Sequence, residues 1–116
     1  MAVQIWHNPR CSKSRQALAI IEDSGAELEI RRYLDDPPTT VELDRVLTML
    51  NLEPIQLARM KESVAKELEL KGKDLTREEW LEIMVRHPIL IERPIVITDD
   101  GRAALGRPPE AVREVL

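Results

Sequence analysis

The sequence predicts an α/β domain that carries a helical insertion, and three observations lead there. A short apolar segment at residues 3–6 is followed by a helical pattern and then a second strand pattern, the signature of a β-α-β unit. From about residue 39 to 87 strand signals give way to helical ones. An Asp100-Gly101 turn between two short apolar segments then returns the chain to a sheet.

Taken in order, residues 3–6 read as a strand that runs into a polar loop holding Cys11. Ala17, Leu18 and Ile21 recur at helical spacing up to Gly25, a residue suited to a helix C-terminus because it takes a left-handed backbone at no steric cost. Leu28, Ile30 and residues 31–33 suggest the second strand. Strands joined through a helical crossover are parallel, so Cys11 lies at the carboxyl end of the first strand, where α/β sheets gather their sites. Pro37-Pro38 closes the second strand. Thr39 and Glu42 have capping-box spacing, and Leu43, Val46, Leu47 and Leu50 follow at i, i+3, i+4 and i+7. Residues 52–70 favour helix apart from a break at Pro54. Thr76 and Glu79 repeat the capping box ahead of Trp80, Leu81, Met84 and Val85, and His87-Pro88 ends that helix. Residues 95–98 and 103–105 form the hairpin, and Pro108-Pro109 open a last helix over 109–116. This order fits a thioredoxin-like sandwich: a mixed four-stranded sheet with a helical insertion at about 39–87, in one domain spanning residues 1–116. In that fold a cis-proline precedes the third strand and faces the site cysteine, and Pro94 holds that place.

Composition narrows the function classes. The chain has 116 residues, a formal charge of -4, two Trp, one Tyr and no Phe. An acidic chain with so few aromatic side chains is poorly equipped to neutralise phosphates or stack bases, so nucleic acid is not an expected partner. No apolar run approaches the roughly 20 residues that span a bilayer, and the N-terminus runs directly into a strand, so no membrane association and a cytoplasmic location are expected. One cysteine and two histidines provide no zinc-type ligand set, so no metal is expected.

Cys11 carries the chemistry. A cysteine at a helix N-terminus meets unpaired N–H groups and the positive end of the helix dipole, and Arg10, Lys13 and Arg15 surround it in sequence. A free thiol with a pKa near 8.5 is only about 3 % ionised at pH 7, and these neighbours favour the thiolate. A lone cysteine is otherwise among the most buried and inert of residues, but the basic, polar context argues against that here. With no second thiol in the chain, an internal disulfide or dithiol switch is impossible.

The segments His7-Asn8-Pro9-Arg10-Cys11-Ser12-Lys13-Ser14-Arg15, His87-Pro88-Ile89-Leu90-Ile91-Glu92-Arg93-Pro94-Ile95-Val96 and Gly106-Arg107-Pro108-Pro109-Glu110 closely resemble the glutaredoxin-dependent arsenate reductase family over nearly the whole chain. The resemblance implies one catalytic cysteine, corresponding to Cys11, and three oxyanion-binding arginines, corresponding to Arg59, Arg93 and Arg107. It also points to His7 and Ser14 as supports for the thiolate. The family's better-known members are longer at the C-terminus, so this sequence resembles a short branch. Spx-like regulators share the fold but often carry Cys-x-x-Cys, and the fourth position here is Ser14. Phosphatase-like arsenate reductases place an arginine where this chain has Ala17.

The implied reaction is attack of the Cys11 sulfur on arsenate. Guanidinium groups suit the oxyanion because they remain charged and present a fork of donors. The resemblance implies glutathione as co-substrate, glutaredoxin as the partner that clears the mixed disulfide, and no bound cofactor; a monomer is expected. Other readings stay open: a glutathione-linked thiol oxidoreductase acting on another substrate, or a protein-binding regulator. His7 reads as a structural hydrogen-bond donor ahead of a proton shuttle, and Ser14 can also be read as capping or solvating the first helical turn.

Overall fold

The computed structural model describes residues 2–116. The chain divides into two compact units, one of residues 2–36 and 93–116 and the other Pro37–Glu92.

The first unit is built on β1 (Ala2–Trp6), α1 (Ser12–Asp23), β2 (Glu27–Arg31), β3 (Ile95–Thr98), β4 (Ala103–Leu105) and a closing 3-10 helix, Pro109–Val115. Its sheet has the order β2-β1-β3-β4. β1 and β2 are parallel with Ile5 opposite Ile30, whereas β3 is antiparallel to both β1 and β4. The mixed four-stranded sheet is therefore present as expected. Strand alternation explains its core: Val3 and Ile5 of β1, Val96 of β3 and Ala104 of β4 point to one face. There they meet Ala17 and Ile21 of α1 and Val112 and Val115 of the closing helix. That last helix is 3-10 and not α, as befits a short segment entered through two consecutive prolines.

The second unit contains α2 (Thr40–Leu50), α3 (Pro54–Leu57), α4 (Ser63–Glu67), α5 (Arg77–Arg86) and a 3-10 turn, Pro88–Leu90. Both predicted capping boxes form: the Thr39 hydroxyl accepts from the Glu42 amide and the Thr76 hydroxyl from the Glu79 amide, while each glutamate bonds back to the threonine N–H. Leu43, Val46 and Leu47 are buried along α2, as are Trp80, Leu81 and Met84 along α5, and the two helices pack together.

The stretch 52–70 is less helical than its composition suggests. Pro54 starts α3, but after one turn the chain becomes extended at Ala58, which forms an antiparallel bridge with Ile91. The Arg59 N–H donates to the Leu90 carbonyl at 2.7 Å and the Glu92 N–H to the Leu57 carbonyl at 2.9 Å. These long-range hydrogen bonds outweigh local helix propensity, which contributes only tenths of a kcal/mol per residue. Among the described residues, no helix is long and apolar enough to cross a membrane.

Candidate active site

The site of the first unit forms where β1 ends. Beyond Trp6 the His7 N–H still donates to the Arg31 carbonyl at 2.8 Å, so the strand's pairing extends one residue before the chain turns. Asn8 then organises the turn. Its side-chain oxygen accepts from the Arg10 N–H at 3.0 Å, and its carbonyl accepts from the Cys11 N–H at 3.0 Å. Its own N–H donates to the Ser14 hydroxyl oxygen at 3.1 Å. This largely buried residue thus joins the strand end, the loop and the first turn of α1.

Cys11 is the N-cap of α1 and is partly exposed. Its side chain makes no conventional capping hydrogen bond. Burial pushes the thiol pKa up, but the Ser14 amide, the Arg93 guanidinium and the Lys13 amide act in the opposite sense, and the balance lies below the ordinary thiol value. Arg10, Lys13 and Arg15 occupy exposed positions. The guanidinium that acts on the thiol comes instead from Arg93, distant in sequence.

Arg107 also reaches the sulfur. Its Nη2 lies 3.8 Å from Cys11 Sγ, while its Nε donates to the Arg93 carbonyl at 2.8 Å. One guanidinium therefore touches both the thiol and the backbone of the other arginine. The Arg93–Pro94 peptide bond is cis, and so is Arg107–Pro108. The Gly106 N–H donates to the Pro94 carbonyl at 2.8 Å. A Cβ at Gly106 would stand 2.6 Å from Pro94 Cγ, so the absence of a side chain permits this close approach.

His7 and Ser14 lie buried beside the thiol loop. Ser14 is fully inaccessible and His7 nearly so, with His7 Nδ1 and Ser14 Oγ 2.6 Å apart. Burial lowers the His7 pKa, assisted by the positive charges of Arg32 and Arg15, which favours the neutral imidazole. The Ser14 hydroxyl accepts from Asn8, so its own proton is available for Nδ1 of the neutral ring. The pair bonds to each other and to the loop backbone. An imidazolium acting directly on the thiol is not what this environment favours.

Arg59 belongs to the second unit. Its Nε donates to Glu62 Oε1 at 3.0 Å and its Nη1 to Glu92 Oε1 at 2.6 Å. All three side chains are only about a quarter exposed. Glu62 does not stand out in sequence, because an acidic residue in a charged helical stretch ordinarily faces water, and nothing local marks Glu92, within the segment 87–96 quoted above, as a partner of Arg59. Asn8 was equally inconspicuous, although Asn before a helix N-terminus is a turn-forming residue.

Comparison with known proteins bears on this arrangement. The family model for the ArsC family matches residues 6–115. An arsenate reductase from Haemophilus influenzae is 42% identical over 117 residues, covering 100% of both chains. One from Neisseria meningitidis is 43% identical over 115 residues, covering 98% of this chain and 97% of its own. The solved structure of an arsenate reductase from Vibrio cholerae superposes with a TM-score of 0.94 at 44% identity, covering 100% of this chain and 98% of that one. The mixed four-stranded sheet of this chain thus matches the thioredoxin-like fold of a solved arsenate reductase, and the chain belongs to the ArsC family.

Proposed function

We propose that this protein is an oxidoreductase that reduces arsenate to arsenite through a covalent adduct on Cys11, with glutathione as co-substrate and glutaredoxin as the resolving partner. The observation that carries the reading is the convergence of Arg93 and Arg107 on the Cys11 thiol. A thiolate and an oxyanion repel each other, and fixed guanidinium groups offset that repulsion where they lie beside both. In this reading Arg93 and Arg107 bind the arsenate oxygens, and Arg59 is the third oxyanion-binding arginine. His7 and Ser14 support the thiolate indirectly by fixing the loop that presents it.

The proposed chemistry balances in two steps. The Cys11 sulfur attacks arsenic, an As–O bond breaks, and the departing oxygen takes two protons and leaves as water. Glutathione sulfur then attacks the Cys11 sulfur. The S–As bond breaks with its electron pair going to arsenic, which falls from As(V) to As(III), and a Cys11–glutathione disulfide remains. Glutaredoxin transfers the glutathione to its own thiol and restores Cys11. A chain with one cysteine depends on such external thiols, and a cytoplasmic location, where glutathione is kept reduced, suits it.

The test is a coupled assay with arsenate, glutathione, glutaredoxin, glutathione reductase and NADPH. Arsenate-dependent NADPH oxidation that requires this protein and is lost in Cys11→Ser is the expected result. A rate no greater than the protein-free background would overturn the reading.

A further inference from the structure

We propose that Glu62 and Glu92 are positioning residues that act through Arg59 and lower the protein's affinity for oxyanions by occupying that arginine. The inference rests on the arsenate-binding role assigned to Arg59 above. The two carboxylates are built into the backbone. Leu57, Arg59, Leu90 and Glu92 are linked by two hydrogen bonds around the Ala58–Ile91 bridge, which brings the Arg59 and Glu92 side chains together. Glu62 is the N-cap of α4, and its N–H donates to the Arg59 carbonyl at 3.1 Å.

The donors committed matter as much as the charges. A guanidinium can grip an oxyanion bidentately through Nε with Nη2 or through Nη1 with Nη2. Glu62 already holds Nε and Glu92 already holds Nη1, so each edge has one nitrogen bonded to a carboxylate. Arg59 with its two glutamates carries a net charge of one negative. An oxyanion drawn to Arg59 therefore meets two carboxylates in a half-buried setting and must displace or share their bonds. Burial opposes the Arg59 charge and the two glutamates more than restore it, which is the signature of a guanidinium already satisfied within the fold.

Glu92→Gln and Glu62→Gln keep size and an acceptor oxygen while removing the charge. In the coupled assay, KM for arsenate is expected to fall about threefold or more in Glu92→Gln and further in the double variant, with the change concentrated in KM and not in kcat. Adding Arg59→Ala should erase the gain, because the carboxylates act only through that side chain. An unchanged or raised KM in the double variant, or a gain that persists without Arg59, would overturn the proposal. Protection of Cys11 from iodoacetamide by inorganic phosphate gives a readout independent of turnover. If the wild type does not reduce arsenate, the function proposed above fails by itself. Stronger phosphate protection in the glutamine variants would then still support the clamp, and equal or weaker protection would refute it.

Discussion

Arg107 Nη2 stands 3.8 Å from Cys11 Sγ although the two residues are 96 positions apart in the chain. The same guanidinium is anchored through Nε to the Arg93 carbonyl, so its approach to the sulfur is held by a second contact. A lysine at 107 would retain the charge but could not span both partners in a planar fork. Arg107→Lys should therefore lower kcat/KM for arsenate roughly tenfold, the loss expected for one charge-assisted contact, with little change in Tm. Steady-state kinetics alongside thermal melting measures both, and wild-type kinetics in the variant would remove Arg107 from the site.

Cys11 should alkylate with a pH midpoint below that of a free thiol, about 8.5, because the Ser14 amide, Arg93 and the Lys13 amide together outweigh burial. A folded-state pKa below the unfolded one stabilises the native state above the unfolded value, and that contribution is lost as pH falls through the folded value. Iodoacetamide rates against pH, and melting curves of wild type and Cys11→Ser over the same range, are the measurements. A midpoint at or above about 8.5 would contradict the electrostatics described.

His7 should titrate below its ordinary value of 6.5 in an NMR pH series, since burial comes first among its causes and Arg32 and Arg15 add repulsion. For a base whose folded pKa is depressed, stability is fully present above 6.5 and declines as pH falls through the folded value. The melting temperature of wild type should drop more steeply between neutral and mildly acidic pH than that of His7→Gln. Parallel curves for the two proteins would argue against a buried neutral imidazole.

Ser14→Ala removes the partner of both His7 Nδ1 and the Asn8 N–H in a site without solvent access. Leaving such groups unsatisfied costs about 1–3 kcal/mol. The variant should lose several degrees of Tm, and its Cys11 should react less selectively as the loop loosens. Denaturant titration read against the Cys11 alkylation rate checks this, and unaltered stability would show that the hydroxyl is dispensable.

Gly106→Ala places a methyl group 2.6 Å from Pro94 Cγ and 3.2 Å from Val112 Cγ1. Pro94 is rigid and Val112 is in the core, so neither yields easily; overpacking of this kind costs about 1–3 kcal/mol. Because Arg93 and Arg107 flank the contact in sequence, turnover should fall together with stability. A variant as stable and active as wild type would show that the strand end can relax.

Much of this molecule is local in origin. The capping boxes at Thr39 and Thr76, the Asp100-Gly101 turn and the 3.6-residue spacing of Leu43, Val46 and Leu47 act within a few residues of themselves, so the sequence by itself determines those helices and the hairpin. Cys11 as a helix N-terminal thiol is equally legible, because the loop and the helix start are adjacent in the chain. Tertiary structure decided the rest. Which cations meet the sulfur depends on β3 returning beside β1 and β4 pairing with β3, and it favoured Arg93 and Arg107 over the nearby Arg10, Lys13 and Arg15. The Arg59 segment left helix for a bridge to Ile91 and gained, besides the nearby Glu62, a carboxylate partner in Glu92, 33 positions away, that no local pattern announces. Local propensities are worth tenths of a kcal/mol per residue, whereas hydrogen bonds to charged groups in half-buried surroundings are worth about 1.5–3 kcal/mol, so the long-range contacts settle where charged side chains go.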